Sequence, residues 1–323
     1  MQRKSLLLLV VLVMALGGLF FWLQRGPEPL PVEDTHYLPG LDPQQVSGVR
    51  IERPGQPPIQ VARKDGGWVM PAKEDYRAAG RLIGDLLQDL AQARKVEPKT
   101  RDPANFARLG LAEKGEGAAV RLTLERVSGA PIDVLLGKNA QQGGRLVRQP
   151  GDDQVWLIDQ FLNLPPDELD WLDRRVTRIA FEDIAEVSVH YPKGETLTVY
   201  RDKPGEPNLR VRQLPKDARL PDEAAANGMA LPFGNLLFNE AAPLDQVQFK
   251  GPPQLSLTLK TLDGGRLSAH LQRQGGQPWL LLDRVEGFAE GQVLARSDWA
   301  YRIEPEQAGA LARRLEDMQG RKP

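Results

Sequence analysis

An uninterrupted apolar run near the start constrains this chain more than any other feature. From Leu6 it reads Leu-Leu-Leu-Leu-Val-Val-Leu-Val-Met-Ala-Leu-Gly-Gly-Leu-Phe-Phe-Trp-Leu, ending at Leu23 with no charge inside. As a helix rising 1.5 Å per residue, Ser5 to Leu23 spans a hydrocarbon core of about 30 Å. Phe20, Phe21 and Trp22 stand where a signal peptidase needs small residues, so residues 1–25 read as an uncleaved signal-anchor. Its membrane contacts are then Leu6, Leu12, Phe20, Phe21 and Trp22, the last suited to an interface. Arg3 and Lys4 precede the run, whereas Glu28, Glu33 and Asp34 follow Arg25. The positive-inside bias places the N-terminus in the cytoplasm and the body beyond the inner membrane, in the periplasm.

No comparable run occurs downstream, so a single pass carries the remaining mass. Residues 26–43 are proline-rich and read as an extended tether. The body has ordinary globular composition, with 26% charged and 41% hydrophobic residues over the chain. A net charge of −1 offers no field to attract nucleic acid. The absence of cysteine excludes disulfides, thiolate metal sites and lipoprotein lipidation.

The body of about 280 residues is nearer two domains than one. Val46 to Arg53 and Ile59 to Arg63 alternate apolar and polar as half-buried strands do. Between Tyr76 and Val96, Ala79, Ile83, Leu86, Leu87, Leu90 and Ala93 recur at helical spacing. Short strands follow around Leu122, Val134, Leu146 and Leu157, then a helical piece from Pro165 to Arg175. The pattern then begins again. Ile184 to Pro192 parallels Val46 to Pro54, Thr196 to Arg201 parallels Ile59 to Arg63, and Gln254 to Lys260 matches Ala119 to Arg126. Pro278 to Leu282 matches Gln154 to Ile158. Asp222 to Phe238 stands where the second copy needs its helix, shortened or kinked by Pro232, and Pro305 to Met318 supplies a closing helix. The expected fold is α+β: two tandem units, residues 44–177 and 178–320, each an antiparallel meander with packed helices. Two unrelated domains of similar composition are the competing reading.

Certain residues carry a resemblance. They are the strand pair leading to Trp68, the helix with Ile83, Leu86, Leu87 and Leu90, then Phe106 to Leu111 and Val134 to Lys138. Gly144 to Arg148, Val155 to Ile158 and Leu172 to Arg175 complete it. This succession resembles the bacterial domain-of-unknown-function family 4340 over nearly all of the chain past the tether. The resemblance implies a bitopic envelope protein associated with ABC-type export systems and gliding-motility-type auxiliary proteins. It supplies no catalytic residues. The second unit departs from the pattern at Pro232 and lacks a clear Leu-Gly-Leu.

A search for chemistry returns negatives. Gly137-Lys138-Asn139 has Ile132 where a phosphate loop needs glycine and Asn139 where it needs a hydroxyl, so a hairpin turn is expected there. His36, His190 and His270 are isolated, with no partner at metal-ligand spacing. No nucleophile elbow is present, and the acidic doublets Asp152-Asp153, Glu182-Asp183 and Asp222-Glu223 suit turns. The tryptophans past the anchor suit the core, and the basic doublets suit helix ends. The expectation is a non-enzymatic, cofactor-free scaffold or accessory subunit of an envelope complex. Its partners would be inner-membrane proteins such as ABC transporter subunits, and no nucleic acid. Trp171, Arg174 and Arg175, at the junction of the two copies, are its candidate interface. Two alternatives are a periplasmic glycan- or lipid-binding module and an envelope hydrolase whose carboxylates converge only in three dimensions.

Overall fold

The computed structural model describes residues 35–141, 143–216 and 218–318. The signal-anchor, with Leu6, Leu12, Phe20, Phe21 and Trp22, lies outside them. Among the described residues no helix is long and apolar enough to cross a membrane.

Two nine-stranded antiparallel sheets dominate. The first comprises β1 (Val46–Glu52), β2 (Ile59–Lys64), β3 (Gly67–Met70), β4 (Tyr76–Arg77), β5 (Lys95–Pro98), β6 (Val120–Arg126), β7 (Ile132–Asn139), β8 (Arg145–Arg148) and β9 (Trp156–Ile158). Its order is β4-β3-β2-β1-β6-β7-β8-β9-β5. The second comprises β10 (Arg175–Thr177), β11 (Ile184–His190), β12 (Thr196–Tyr200), β13 (Arg210–Val211), β14 (Leu236–Pro243), β15 (Leu255–Thr261), β16 (Arg266–Gln274), β17 (Gln277–Glu286) and β18 (Trp299–Ile303). Its order is β10-β14-β18-β17-β16-β15-β11-β12-β13. The α-helices are α1 (Gly80–Gln92), α2 (Phe106–Leu109) and α3 (Pro305–Leu311).

Period-two burial fixes the register. Leu255, Leu257 and Leu259 stand opposite Leu271, Ala269 and Leu267, so one face of the β15–β16 pair is apolar throughout. Val187 and Val189 extend that face from β11.

By its contacts the chain divides into two compact units. One is the chain through Gln60 with Gly84–Leu164; the other is Val61–Ile83 with the chain from Pro165. In the first unit Phe106, Leu111, Ala119, Leu135, Leu146 and Val155 form a buried cluster. The folded body begins inside the segment read as tether. Tyr37 and Leu38 are buried, and the Tyr37 N–H donates to the Ala93 carbonyl at 2.7 Å.

The second unit claims the hairpin of residues 61–83, which precedes the bulk of that unit in sequence by some eighty residues. Its Tyr76 packs against Phe238, Trp299 and Tyr301, with ring centroids 5.7, 4.7 and 6.3 Å away.

Three local expectations change. Asp222 to Phe238 is not one helix but two 3₁₀ turns, Ala225–Met229 and Leu231–Gly234, followed by β14. Gly228, Pro232 and Gly234 interrupt the helical ladder, and Leu236 and Phe238 are buried at strand spacing instead. Pro165 to Arg175 holds only the 3₁₀ turn Glu168–Trp171, and Arg175 already belongs to β10. Gly137 and Lys138 lie within β7 rather than in a turn. A Cβ on Gly137 would sit 2.7 Å from the Leu109 carbonyl oxygen, so glycine serves close packing there, not a phosphate.

Candidate functional site

The predicted interface triad separates in the structure. Trp171 is fully buried and its indole N–H donates to the Pro165 carbonyl at 3.1 Å, so it is core and offers no surface. The Arg174 Nε donates to the Phe238 carbonyl at 2.9 Å, bracing backbone. Arg175 remains. It lines an open cleft of about 780 Å³ lying wholly within the second unit.

Local rules build the cleft's walls. Asp65 and Gly66, with φ of 49° and 80°, join β2 to β3 as a two-residue hairpin loop, the left-handed turn that Asp-Gly favours. Glu74 and Asp75 are also left-handed, with φ of 50° and 57°. Three bonds hold them: Lys64 Nζ to the Asp75 carboxylate at 2.5 Å, Arg296 to the Glu74 carbonyl at 2.9 Å, and Gln246 Nε2 to the Glu74 carboxylate at 3.4 Å. The hairpin edge then joins the rest of the unit through backbone. The Asp173 N–H donates to the Arg77 carbonyl, and the Ala79 N–H donates to the Trp171 carbonyl.

The lining is rich in charge yet nearly balanced, with Lys64, Arg77, Arg81, Arg175 and Arg296 against Asp65, Asp75, Asp173 and Glu290. Most of these charges are already paired. Arg175 grips Asp173 with two donors at 2.8 and 2.7 Å, which raises its own pKa. Arg296 binds Asp298 the same way, at 3.0 and 2.6 Å, and holds that carboxyl below its usual range. Trp68 is half-buried in the lining, with the Arg63 guanidinium 4.9 Å over its ring.

Of the histidines, His36 bridges backbone with Arg94, His190 ends β11, and His270 Nδ1 lies 2.8 Å from the Asp283 carboxylate. Among the described residues no cluster of three or more His, Asp or Glu could hold a metal ion.

Beside the cleft, the aromatic cluster makes a testable statement about pH. Burial pushes the Tyr301 phenol up to about 12 and raises Tyr76 further; Tyr37, in the first unit, is also raised by burial. Each phenol is held neutral in the folded chain, whereas unfolded tyrosine ionises near 10. Their contribution is therefore complete below pH 10 and is lost as pH rises through the folded values. The midpoint of thermal unfolding should fall steadily from about pH 10 to 12, at up to about 1.4 kcal/mol per pH unit for each tyrosine. Circular dichroism melts would show it, and a flat midpoint across that range would refute it.

Fold and cleft together define a two-sheet antiparallel β protein with a polar cleft whose charges are mostly paired. A family model described as Domain of unknown function (DUF4340) matches residues 68–256, more than half of the chain, and the protein belongs to that family. No curated protein and no solved structure matches. The matched span opens at Trp68 and includes Arg77, Arg81, Asp173 and Arg175.

Sequence reading singled out Arg175 together with Trp171 and Arg174, and it assigned Trp68 to the core. Arg77, Arg81 and Arg296 carried no sequence signal. One local cue was available: Asp65-Gly66 marks a tight hairpin that projects Trp68 and the strand after it.

Proposed function

We propose that this chain is a non-enzymatic accessory subunit of an envelope protein complex. It is held in the inner membrane by residues 1–25, and its periplasmic body binds a protein partner through the second unit's cleft. One observation carries this reading. The cleft presents Trp68 with Arg77, Arg81, Arg175 and Arg296, the residue types that dominate protein-binding hot spots, beside two acids, Asp75 and Asp173, that are salt-bridged. An ABC-type exporter is the partner class that the family resemblance suggests.

The same reading takes the body as two copies of one fold. Strand order supports it. Inside their outer strands, β4-β3-β2 in one sheet and β13-β12 in the other, both sheets run one long strand, a four-stranded meander and then a strand from before the meander, with β10 added beyond it in the second sheet. In that order β1 answers β11, β6 answers β15, and β5 answers β14.

The test uses the full chain, purified from membranes in mild detergent. An inner-membrane protein should co-purify at fixed stoichiometry, and Trp68→Ala should weaken its retention about 30-fold, equivalent to about 2 kcal/mol, with an unchanged melting curve. Partner retention untouched by Trp68→Ala would remove the cleft from the reading. A chain that purifies alone and hydrolyses an envelope polymer would overturn it.

A further inference from the structure

We propose that Arg77 receives a single carboxylate carried by an extended segment of the partner protein, a deepening that rests on the partner-binding reading. Arg77 occupies an edge strand of two residues, where alternation turns its neighbour Tyr76 into the aromatic core and leaves Arg77 exposed. The three rings around Tyr76 fix the backbone, and the Arg77 carbonyl is already bonded to the Asp173 N–H. The base is thus mounted on a rigid support with its side chain free to bind. No hydrogen bond or ion pair engages its guanidinium among the described residues, although Lys64, Arg175 and Arg296 around it are each tied to an aspartate. An unsatisfied guanidinium presents a planar fork that fits a carboxylate with two parallel bonds.

The surroundings select the kind of anion. Asp65 and Glu290 line the same cleft, and among the described residues no base is bonded to them. They repel a doubly charged phosphate or a polyanion more than a singly charged carboxylate. Arg77 also borders a second hollow of about 290 Å³, formed with the loop Val285 to Val293. Trp68 lies in the lining of the first hollow, so Arg77 stands where two recesses meet. That placement suits a chain running through both, with an apolar residue on Trp68 and an acidic side chain or terminal carboxylate on Arg77.

The probes are fluorescein-labelled decapeptides of alanine, serine and leucine, titrated against the full chain in detergent and read by anisotropy. One set carries a single glutamate with an amidated end, a second carries a free C-terminal carboxylate, and controls carry glutamine and an amide. At least one carboxylate set should bind ten-fold or more tightly than its control, and which set does so identifies the source of the carboxylate. That preference should vanish in Arg77→Ala, survive in part in Arg77→Lys, and shrink with added salt. Equal binding of carboxylate and control peptides overturns the proposal, as does inorganic polyphosphate competing better than acetate-capped glutamate. The two readings fail separately. Lost carboxylate preference with partner retention still sensitive to Trp68→Ala sinks only the role of Arg77. Retained preference with partner binding indifferent to Trp68→Ala sinks only the partner reading.

Discussion

Replacing Trp171 by alanine should lower the stability of the second unit by about 3–5 kcal/mol, the range for truncating a buried large aromatic. For a body of this size that corresponds to a fall of roughly 10 °C in the thermal midpoint. Trp171 has no exposed surface, so the change removes the whole ring from a packed interior and leaves a cavity that its neighbours close only in part. Two further losses add to the cavity. The indole N–H no longer satisfies the Pro165 carbonyl, and the 3₁₀ turn Glu168–Trp171 loses the side chain that pins it. The backbone carbonyl of residue 171 still accepts from the Ala79 N–H, so the strand edge should persist. Trp171→Phe should recover more than half of the loss, because it restores most of the volume without the donor. An interface residue would behave in the opposite way, with weaker partner binding and an unchanged melt. Calorimetry of both variants decides this, and a midpoint within 2 °C or so of the parent for Trp171→Ala would return the residue to the surface.

Tyr76→Ala should cost a similar amount, about 3–5 kcal/mol, with a different signature. Tyr76 is 2% exposed and touches Phe238 edge-on, Trp299 at 4.7 Å and Tyr301 at 6.3 Å. Removing its ring deletes the aromatic contacts that help build the 61–83 hairpin into the second unit. The left-handed pair Glu74-Asp75 should then relax, since for residues with a Cβ that conformation persists only where surrounding contacts enforce it. Limited proteolysis should therefore cut first between residues 65 and 77 in this variant and not in the parent. Arg77→Ala, one residue along the same strand, should shift stability by no more than about 0.5 kcal/mol, because the Arg77 side chain is exposed and makes no ion pair among the described residues, while its backbone bond is kept. Equal destabilisation by both substitutions would contradict the alternation on which the cleft rests.

Much of the strand content was legible because the signal is local. A strand that buries one face writes period two into its own residues, as Val46 to Glu52 and Leu255 to Thr261 do, and no distant partner is needed to read it. The Asp222 to Phe238 segment failed for a related reason. Met229, Phe233, Leu236 and Leu237 satisfy helical spacing, but Pro232 and two glycines cannot sustain the ladder. Alternating burial at Leu236 and Phe238 then decides for a strand. Trp171 and Arg175 were singled out together from sequence, yet a side chain's exposure depends on what packs over it. No pattern four residues long contains that information.

The sequence by itself determined the antiparallel strands of the body, the absence of cysteine chemistry and the family to which the chain belongs, but not how few helices pack with those strands. Each is a property of neighbouring residues or of composition. Only the tertiary structure decided where the cleft is and who lines it. Lys64 to Arg81, Asp173 with Arg175, and Glu290 to Arg296 stand far apart along the chain and meet only when Tyr76 enters the core of the second unit. The pairings that follow, Asp75 with Lys64 and Asp173 with Arg175, neutralise part of the charge gathered there. The Arg77 guanidinium has no ion pair among the described residues because β4 turns it outward while its neighbour is buried, and a long-range packing event of that kind leaves no mark in the residues beside it.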